Sequence, residues 1–273
     1  MIKENGTILI PIDFSKQSLI GIKNAYIIGK NSHSKLLILQ VYSKPEEENK
    51  VELEQLAKQT NLESGLICDF ATVKGDMFIE TDKMAEKIGA SLILVGLAPL
   101  VKFRSFMGSS SASKFIKNAP CPVLTTRIST HESGCKNILM PFDLSPESRE
   151  KVGTVIQMSK YFNSDVRIVS VFDPNDSKYE NQMLPYLQQV KKYMKDRGVH
   201  CTNKSIPSKD PVQSIIEYGN KNDCGLIIQM NKRDLNISEL FSGTTSQKIV
   251  DLSNIPVLTI NPMIRESISS GIH

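Results

Sequence analysis

The stretch Ile8-Leu9-Ile10-Pro11-Ile12-Asp13-Phe14-Ser15 decides the fold, because it returns 130 residues later as Ile138-Leu139-Met140-Pro141-Phe142-Asp143-Leu144-Ser145. Each copy is an apolar run that ends in Pro-x-Asp-x-Ser and leads into a helical pattern. Such a run, bounded by turn residues, is typical of a strand buried on both faces, and the Ser can cap the following helix. Ligands of open parallel sheets bind at the carboxyl ends of the strands, where Asp13 and Asp143 stand.

The repeat divides the chain of 273 residues into two halves of about 130 residues, and each half is large enough for a core of its own. Strands alternate with helical patterns as βαβαβαβαβ in each half, which predicts an α/β fold with a doubly wound parallel sheet. Asp76 and Asp210 are the predicted N-caps of corresponding helices. The polar stretch from Arg127 to Lys136 is the predicted linker. We therefore predict two domains, over residues 1–128 and 136–262.

Composition and charge argue against several classes of function. The formal net charge of +4 is small, and basic and acidic residues are interspersed, so a nucleic-acid partner is not indicated. The five cysteines form no Cys-x-x-Cys pair, which favours a reducing compartment over a disulfide scaffold. The sequence has no signal-peptide pattern, and no apolar run approaches the ~20 residues of a membrane helix. We expect a cytoplasmic protein with no membrane partner.

Three features should meet at the carboxyl edge of the predicted sheet in each half. They are the Asp after the first strand, the loop after the fourth strand, and a Gly-Ser/Thr turn that opens a helix. That turn contains Gly108, Ser109 and Ser110 in the first half and Gly243 and Thr244 in the second half. Free N–H groups at a helix start favour an anion, and a carboxylate can accept from a ribose hydroxyl or an adenine amino group. Two interpretations stay open: a nucleotide site, or helix caps and braced turns that bind nothing.

These motifs resemble the universal stress protein family. Its domain opens with an apolar strand that ends in Asp, and closes with Gly-x2-Gly-x9-Gly-Ser/Thr, a helix and a Pro-Val-Leu-Val-like strand. Both halves carry the Gly-Ser/Thr turn and a final strand, which is Pro122-Val123-Leu124 or Pro256-Val257-Leu258. The resemblance covers nearly the whole chain and indicates a tandem of two such domains. It implies an adenine nucleotide alpha hydrolase-like fold with strand order 3-2-1-4-5 in each half.

The resemblance also implies how the two halves are arranged. We expect two five-stranded sheets that superpose, rather than one continuous ten-stranded sheet. The implied strand order puts the last strands, around Leu124 and Leu258, at sheet edges, where N–H and C=O groups are unpaired. In the family such edges pair between domains, so the two halves should form an intramolecular pseudo-dimer. Two chains could then associate further as a homodimer.

For function, the resemblance implies a stress-response protein that binds ATP or a related adenine nucleotide, with Mg²⁺ accompanying it. Such a protein is a regulatory module rather than a dedicated enzyme, and no catalytic residue or metal-ligand set is recognised in the sequence. In the first half the implied contacts are Asp13 and Val41 at the adenosine, and Gly96, Gly108, Ser109 and Ser110 at the phosphates. Their implied counterparts in the second half are Asp143, Gly243 and Thr244. The alternatives are a structural or regulatory dimer that binds no nucleotide, and a slow ATPase.

The glycine motif is incomplete in both halves. Gly96 matches its first glycine, Pro99 stands in place of the second, and the gap to Gly108 is one residue short. In the second half the spacing is right, but Met230 and Arg233 replace the first two glycines. A side chain or a proline at these positions obstructs the approach of a phosphate to the backbone. We favour the first half because it keeps two glycines and three consecutive serines, while Arg233 could contact phosphate and leaves the second half open.

Overall fold

The computed structural model describes residues 1–98, 111–127, 135–176, 178–231 and 244–262. Strands and α-helices alternate along these residues, as the sequence predicts. The strands are β1 (Thr7–Ile12), β2 (Lys35–Tyr42), β3 (Cys68–Lys74), β4 (Leu92–Gly96), β5 (Val123–Thr126), β6 (Asn137–Pro141), β7 (Asp165–Phe172), β8 (Cys201–Pro207), β9 (Cys224–Met230) and β10 (Val257–Ile260). The helices are α1 (Lys16–Asn31), α2 (Lys50–Ser64), α3 (Met77–Ile88), α4 (Ser111–Lys117), α5 (Pro146–Glu150), α6 (Val152–Phe162), α7 (Tyr179–Lys195), α8 (Pro211–Lys221) and α9 (Thr245–Leu252).

The strands lie in the order β3-β2-β1-β4-β5-β10-β9-β6-β7-β8. Neighbouring strands are parallel within each half, so both halves have the order 3-2-1-4-5. The predicted α/β class and strand order are therefore confirmed. Among the described residues, no helix combines the length and the apolar character needed to cross a membrane.

The two halves join where their last strands pair. β5 and β10 are antiparallel, with Leu124 opposite Leu258, and the Thr125 hydroxyl donates to the Val257 carbonyl at 3.3 Å. The expected pairing of these edges is confirmed, but the result is one ten-stranded sheet, so our expectation against a continuous sheet is wrong. The physical reason is that two apolar edges satisfy each other's unpaired N–H and C=O groups.

Alternation along β1 explains why helices cover both faces of the sheet. Ile8 and Ile10 pack in one core layer with α1 and α2, whereas Leu9 packs in the other layer with α3 and α4. Successive strand residues point to opposite faces, so an uninterrupted apolar strand needs a helix layer on each side. Each core layer contains residues of both halves.

Two side chains that follow the last strands connect the halves reciprocally. Arg127 Nε donates to the Ser253 carbonyl at 3.2 Å, and its Nη2 donates to the Val250 and Asp251 carbonyls at 3.3 Å each, at the end of α9. Asn261 Nδ2 donates to the Ala119 carbonyl, which follows α4. The guanidinium therefore satisfies carbonyls at a helix end that lack an intrahelical partner. Arg127, the first residue of the predicted linker, therefore also makes contacts between the two halves.

Candidate functional site

The carboxyl edge of the first half brings together Asp13, Val41 and Gly96, the three predicted site residues of this half that the structure describes. Asp13 directly follows β1, whose last pair with β2 joins Ile12 to Gln40. Continuing this register puts Val41 beside Asp13. β4 lies on the other side of β1, and its last residue is Gly96. The three residues therefore lie at the ends of three adjacent strands.

The Asp13 carboxylate is exposed and held by the start of α1. Its Oδ1 accepts from the Ser15 backbone N–H at 3.0 Å, and its own N–H donates to the Ser18 hydroxyl at 3.3 Å. Partial burial acts to raise the pKa of Asp13, but hydrogen bonds from Ser15 and Ser18 outweigh it, so the pKa lies below its ordinary value. At neutral pH the carboxylate is ionised and can only accept hydrogen bonds.

The turn between Asp13 and α1 holds two further features. Ser15 caps the helix as predicted, because its hydroxyl accepts from the Ser18 N–H at 3.2 Å. Phe14 has φ of 59°, in the left-handed region, which a bulky side chain rarely adopts. A strained residue of this kind is often found at a functional site. The sequence pattern contains no signal for it, because apolar residues fit the motif in either conformation.

Gly96 is required by the packing of α1 against β4. A Cβ atom on Gly96 would collide with the Gln17 carbonyl oxygen and would lie 3.1 Å from the Gly21 backbone nitrogen. A Cβ atom on Gly21 would in turn lie 3.2 Å from the Gly96 nitrogen. Helix and strand therefore approach so closely that Gly96 has no room for a side chain, and a side chain at Gly21 would be in tight contact with β4. This contact accounts for Gly96 without any ligand, and its implied role at a phosphate stays a prediction.

The corresponding edge of the second half is built differently around Asp143. Its Oδ1 accepts from the Ser145 N–H at 3.0 Å, from the Ser148 hydroxyl at 2.6 Å and from the Ser145 hydroxyl. Lys151 Nζ donates to the Ser148 hydroxyl at 3.3 Å, and Lys151 is only 3% exposed. Sequence reasoning missed this lysine, although alignment of the repeats pairs it with Gly21. The alignment of a lysine with a glycine is the sequence signal that could have identified Lys151.

Thr244, the other described candidate of the second half, caps α9. Its hydroxyl accepts from the Gln247 N–H at 3.3 Å, while Gln247 Oε1 accepts from the Thr244 N–H at 3.0 Å. This reciprocal pair is a capping box, and it satisfies two backbone donors at the helix start. The helix-cap interpretation therefore holds for the Thr244 hydroxyl, and a ligand role there stays a prediction.

The remaining candidates, Gly108, Ser109, Ser110 and Gly243, lie outside the described residues. So do Pro99 and Arg233 of the glycine motif. Among the residues that are described, no three His, Cys, Asp or Glu side chains form a group that could hold a metal ion.

Comparison with known proteins agrees with this twofold architecture. The model of the universal stress protein family matches residues 4–127 and again residues 134–261. The chain belongs to the universal stress protein family. Universal stress protein MJ0531 of Methanocaldococcus jannaschii is 23% identical over an alignment of 158 residues, and this alignment covers 53% of this chain and 92% of that protein.

Solved structures with both repeats share the fold. A universal stress protein from Archaeoglobus fulgidus has a TM-score of 0.79 at 18% identity, covering 96% of this chain and 98% of that one. The functionally unknown protein PA1789 from Pseudomonas aeruginosa has a TM-score of 0.73 at 18% identity, covering 94% of this chain and 92% of that one. At these identities the likeness establishes the tandem fold of the family and nothing finer.

Proposed function

We propose that this universal stress protein is a regulatory module that binds ATP or a related adenine nucleotide in its first half. One observation carries the proposal: the ionised, exposed carboxylate of Asp13 stands at the end of β1, between β2 and β4. The strand order reverses at this point, and ligands of open α/β sheets bind in the crevice formed there. A carboxylate that can only accept hydrogen bonds fits the hydroxyl and amino donors of an adenosine.

Different residues of this edge would contact the adenosine and the phosphates of the nucleotide. Asp13 would accept from the ribose or the adenine, with the backbone near Val41 beside it. The turn of Gly108, Ser109 and Ser110 would supply N–H and hydroxyl donors to the phosphates, with Mg²⁺ accompanying them. We propose that occupancy of the site, rather than turnover of the nucleotide, is the regulatory event. The sequence offers no recognised nucleophile motif or acid–base pair beside the phosphates that would favour the ATPase alternative.

Calorimetric titration with Mg-ATP tests the site. Asp13→Ala should weaken binding by about 1.5–3 kcal/mol, the range for a hydrogen bond to a charged group. Gly108→Val should abolish binding without unfolding the protein, because it adds bulk where a phosphate approaches. Asp143→Asn is the matched control, since it changes the equivalent carboxylate of the second half and should leave the affinity unchanged.

Two results would contradict the proposal. If the unmodified protein binds no adenine nucleotide at millimolar concentration, the structural or regulatory dimer takes its place. If binding survives Gly108→Val and is lost in Gly243→Val, the nucleotide occupies the second half.

Localisation in the cytoplasm and association of two chains into a homodimer are also part of the proposal. The paired edges of β5 and β10 are used within the chain, so a homodimer would have to use another surface. Sedimentation at tens of micromolar protein checks the association, and a monomer alone would refute it.

A further inference from the structure

Alignment of the two repeats shows that two glycines near Asp13 are replaced by larger residues near Asp143. Lys151 follows Asp143 by the same number of residues as Gly21 follows Asp13, and Met230 ends β9 where Gly96 ends β4. In the first half these two positions are the glycines that let α1 contact β4. In the second half Lys151 and Met230 are 3% and 5% exposed. Buried side chains therefore stand at the two positions where the first half has glycines in close contact.

The Lys151 side chain is directed toward the Asp143 turn. Lys151 stands between α5 and α6, and its Nζ lies 3.3 Å from the Ser148 hydroxyl and 5.9 Å from the centre of the Phe142 ring. The Ser148 hydroxyl accepts from Lys151 and donates to Asp143 Oδ1 at 2.6 Å. One serine thus bridges a buried ammonium and a half-buried carboxylate.

Because the Lys151 ammonium is buried, it needs the hydrogen bond and the nearby negative charge that the Ser148 bridge supplies. An ammonium removed from water is costly unless an opposite charge and hydrogen bonds compensate it. The negative charge of Asp143 supplies that compensation through Ser148, and the same Oδ1 also accepts from the backbone N–H and the hydroxyl of Ser145. A nucleoside donor would have to compete with three internal donors and with the buried cation. Asp13 faces no such cation at the aligned position, because Gly21 has no side chain.

We propose that Lys151 determines the ligand specificity of the second half: its buried ammonium is the permanent internal partner of Asp143, so this half does not accept an adenine nucleotide. This rests on the proposed function, since it states which of two repeated sites the nucleotide occupies. The opposite role, a phosphate-binding lysine, requires the ammonium to reach a ligand. A side chain that is 97% buried and engaged with Ser148 does not present its charge at the surface.

Native mass spectrometry with millimolar Mg-ATP counts the nucleotides bound to each full-length chain. We expect one per chain for the unmodified protein and one for Lys151→Arg, which keeps the charge. Lys151→Met removes the ammonium at similar volume and should raise the count to two. Adding Asp13→Ala to Lys151→Met should weaken the binding of one of the two nucleotides and leave the other unchanged, which shows that the new nucleotide is in the second half. Lys151→Gln, uncharged but still a donor, gives a second variant if Lys151→Met does not fold.

The outcomes separate this inference from the proposed function. A count of two for the unmodified protein, or a count that stays at one in both uncharged variants, overturns the role of Lys151 and leaves nucleotide binding in place. A lower count in Lys151→Met also overturns it, because the lysine would then be a phosphate ligand. If the unmodified protein binds nothing, the proposed function fails. In that case, a count that rises from zero to one in Lys151→Met would still support the inference, because the second half would have gained a nucleotide, and a count that stays at zero would overturn it too.

Discussion

The two halves of this protein share a strand order but join their first helix to their fourth strand in opposite ways. In the first half, Gly21 and Gly96 bring the backbones of α1 and β4 into contact. In the second half, the buried side chains of Lys151 and Met230 stand at the aligned positions, and the first helix is interrupted between α5 and α6. The sheet tolerates both arrangements, because pairing within the sheet does not depend on how closely one helix packs.

This difference in packing also affects the candidate sites, because one of the replaced positions follows the aspartate closely in the sequence. Asp13 is exposed and Asp143 is half-buried, and the aligned position after each aspartate holds Gly21 in the first half and Lys151 in the second half. A duplicated fold can therefore keep its strands while one copy of an aspartate becomes part of an internal charge cluster. The predictions below test this difference, beginning with the largest effect.

Gly96→Ala should lower the free energy of unfolding by about 3 kcal/mol or more, because its Cβ would meet backbone atoms of α1 that cannot rotate away. Urea-induced unfolding measures the loss. The matched change in the second half is Met230→Leu, a volume-conserving replacement that should cost less than about 1.5 kcal/mol. Equal stability of Gly96→Ala and the unmodified protein would mean that α1 and β4 are not in close contact.

The Asp143 turn should contribute more stability than the Asp13 turn. Asp143→Ala removes the acceptor of three hydrogen bonds and the charge near buried Lys151, so we expect a loss of about 2–3 kcal/mol. Asp13→Ala alters an exposed carboxylate and should cost about 1 kcal/mol or less. Urea unfolding of both variants gives the comparison.

A double-mutant cycle isolates the part of that loss that belongs to Lys151. Lys151→Met alone should be nearly neutral, because an apolar side chain of similar volume replaces a buried charge. In the Lys151→Met background, Asp143→Ala should cost about 1 kcal/mol less than in the unmodified protein. Strictly additive losses would show that the two groups do not interact.

The reciprocal contacts between the halves are also unequal. Arg127 donates to three carbonyls at the end of α9 and to the Ala98 carbonyl of its own half, whereas Asn261 donates to the Ala119 carbonyl. We expect Arg127→Ala to lower the free energy of unfolding by about 2 kcal/mol and Asn261→Ala by about 1 kcal/mol. Arg127→Lys keeps the charge but loses the planar donor geometry, so it should behave more like Arg127→Ala. Full stability of Arg127→Lys would show that charge alone is sufficient.

Local sequence signals were sufficient for the alternation of strands and helices, but not for the joining of the two halves into one sheet. The apolar strand around Leu9, the Ser15 cap and the Asp76 cap each depend on a few neighbouring residues, and the structure has all three. The convergence of Asp13, Val41 and Gly96 is not a local signal, because it follows from the strand order that the family resemblance implies. The packing requirement at Gly96 was not visible, since it depends on a helix far away in the sequence.

Arg127 and Lys151 were missed for a different physical reason. Long charged side chains are usually solvated, so composition assigns them to surfaces and linkers. Here each is drawn into a protein environment by partners on another element: helix-end carbonyls for Arg127, and the Ser148–Asp143 pair for Lys151. Only the alignment of the two repeats, which sets a glycine against Lys151, distinguishes the lysine from a surface residue.

A last difference between the halves lies on α3 and α8. Asp82 follows the Asp76 cap by the same number of residues as Ile216 follows the Asp210 cap, and Ile216 belongs to the core. Burial raises the pKa of Asp82 to about 6. Between about pH 4 and pH 6, Asp82 therefore keeps its proton in the folded protein but has lost it in the unfolded chain. The free energy of unfolding consequently decreases as the pH rises through this range.

Asp82→Asn should consequently stabilise the protein at pH 7 by about 1–2 kcal/mol, allowing for partial exposure of the carboxylate, and the gain should vanish near pH 4. Urea unfolding at a series of pH values measures this difference directly. Glu86→Gln on the exposed face of the same helix is the matched control and should change stability by less than about 0.5 kcal/mol at either pH. A gain that is the same at pH 4 and pH 7 would attribute the effect to packing. A loss at pH 7 would mean that the carboxylate stabilises α3, and that its replacement by isoleucine in the second half reflects a different environment around α8.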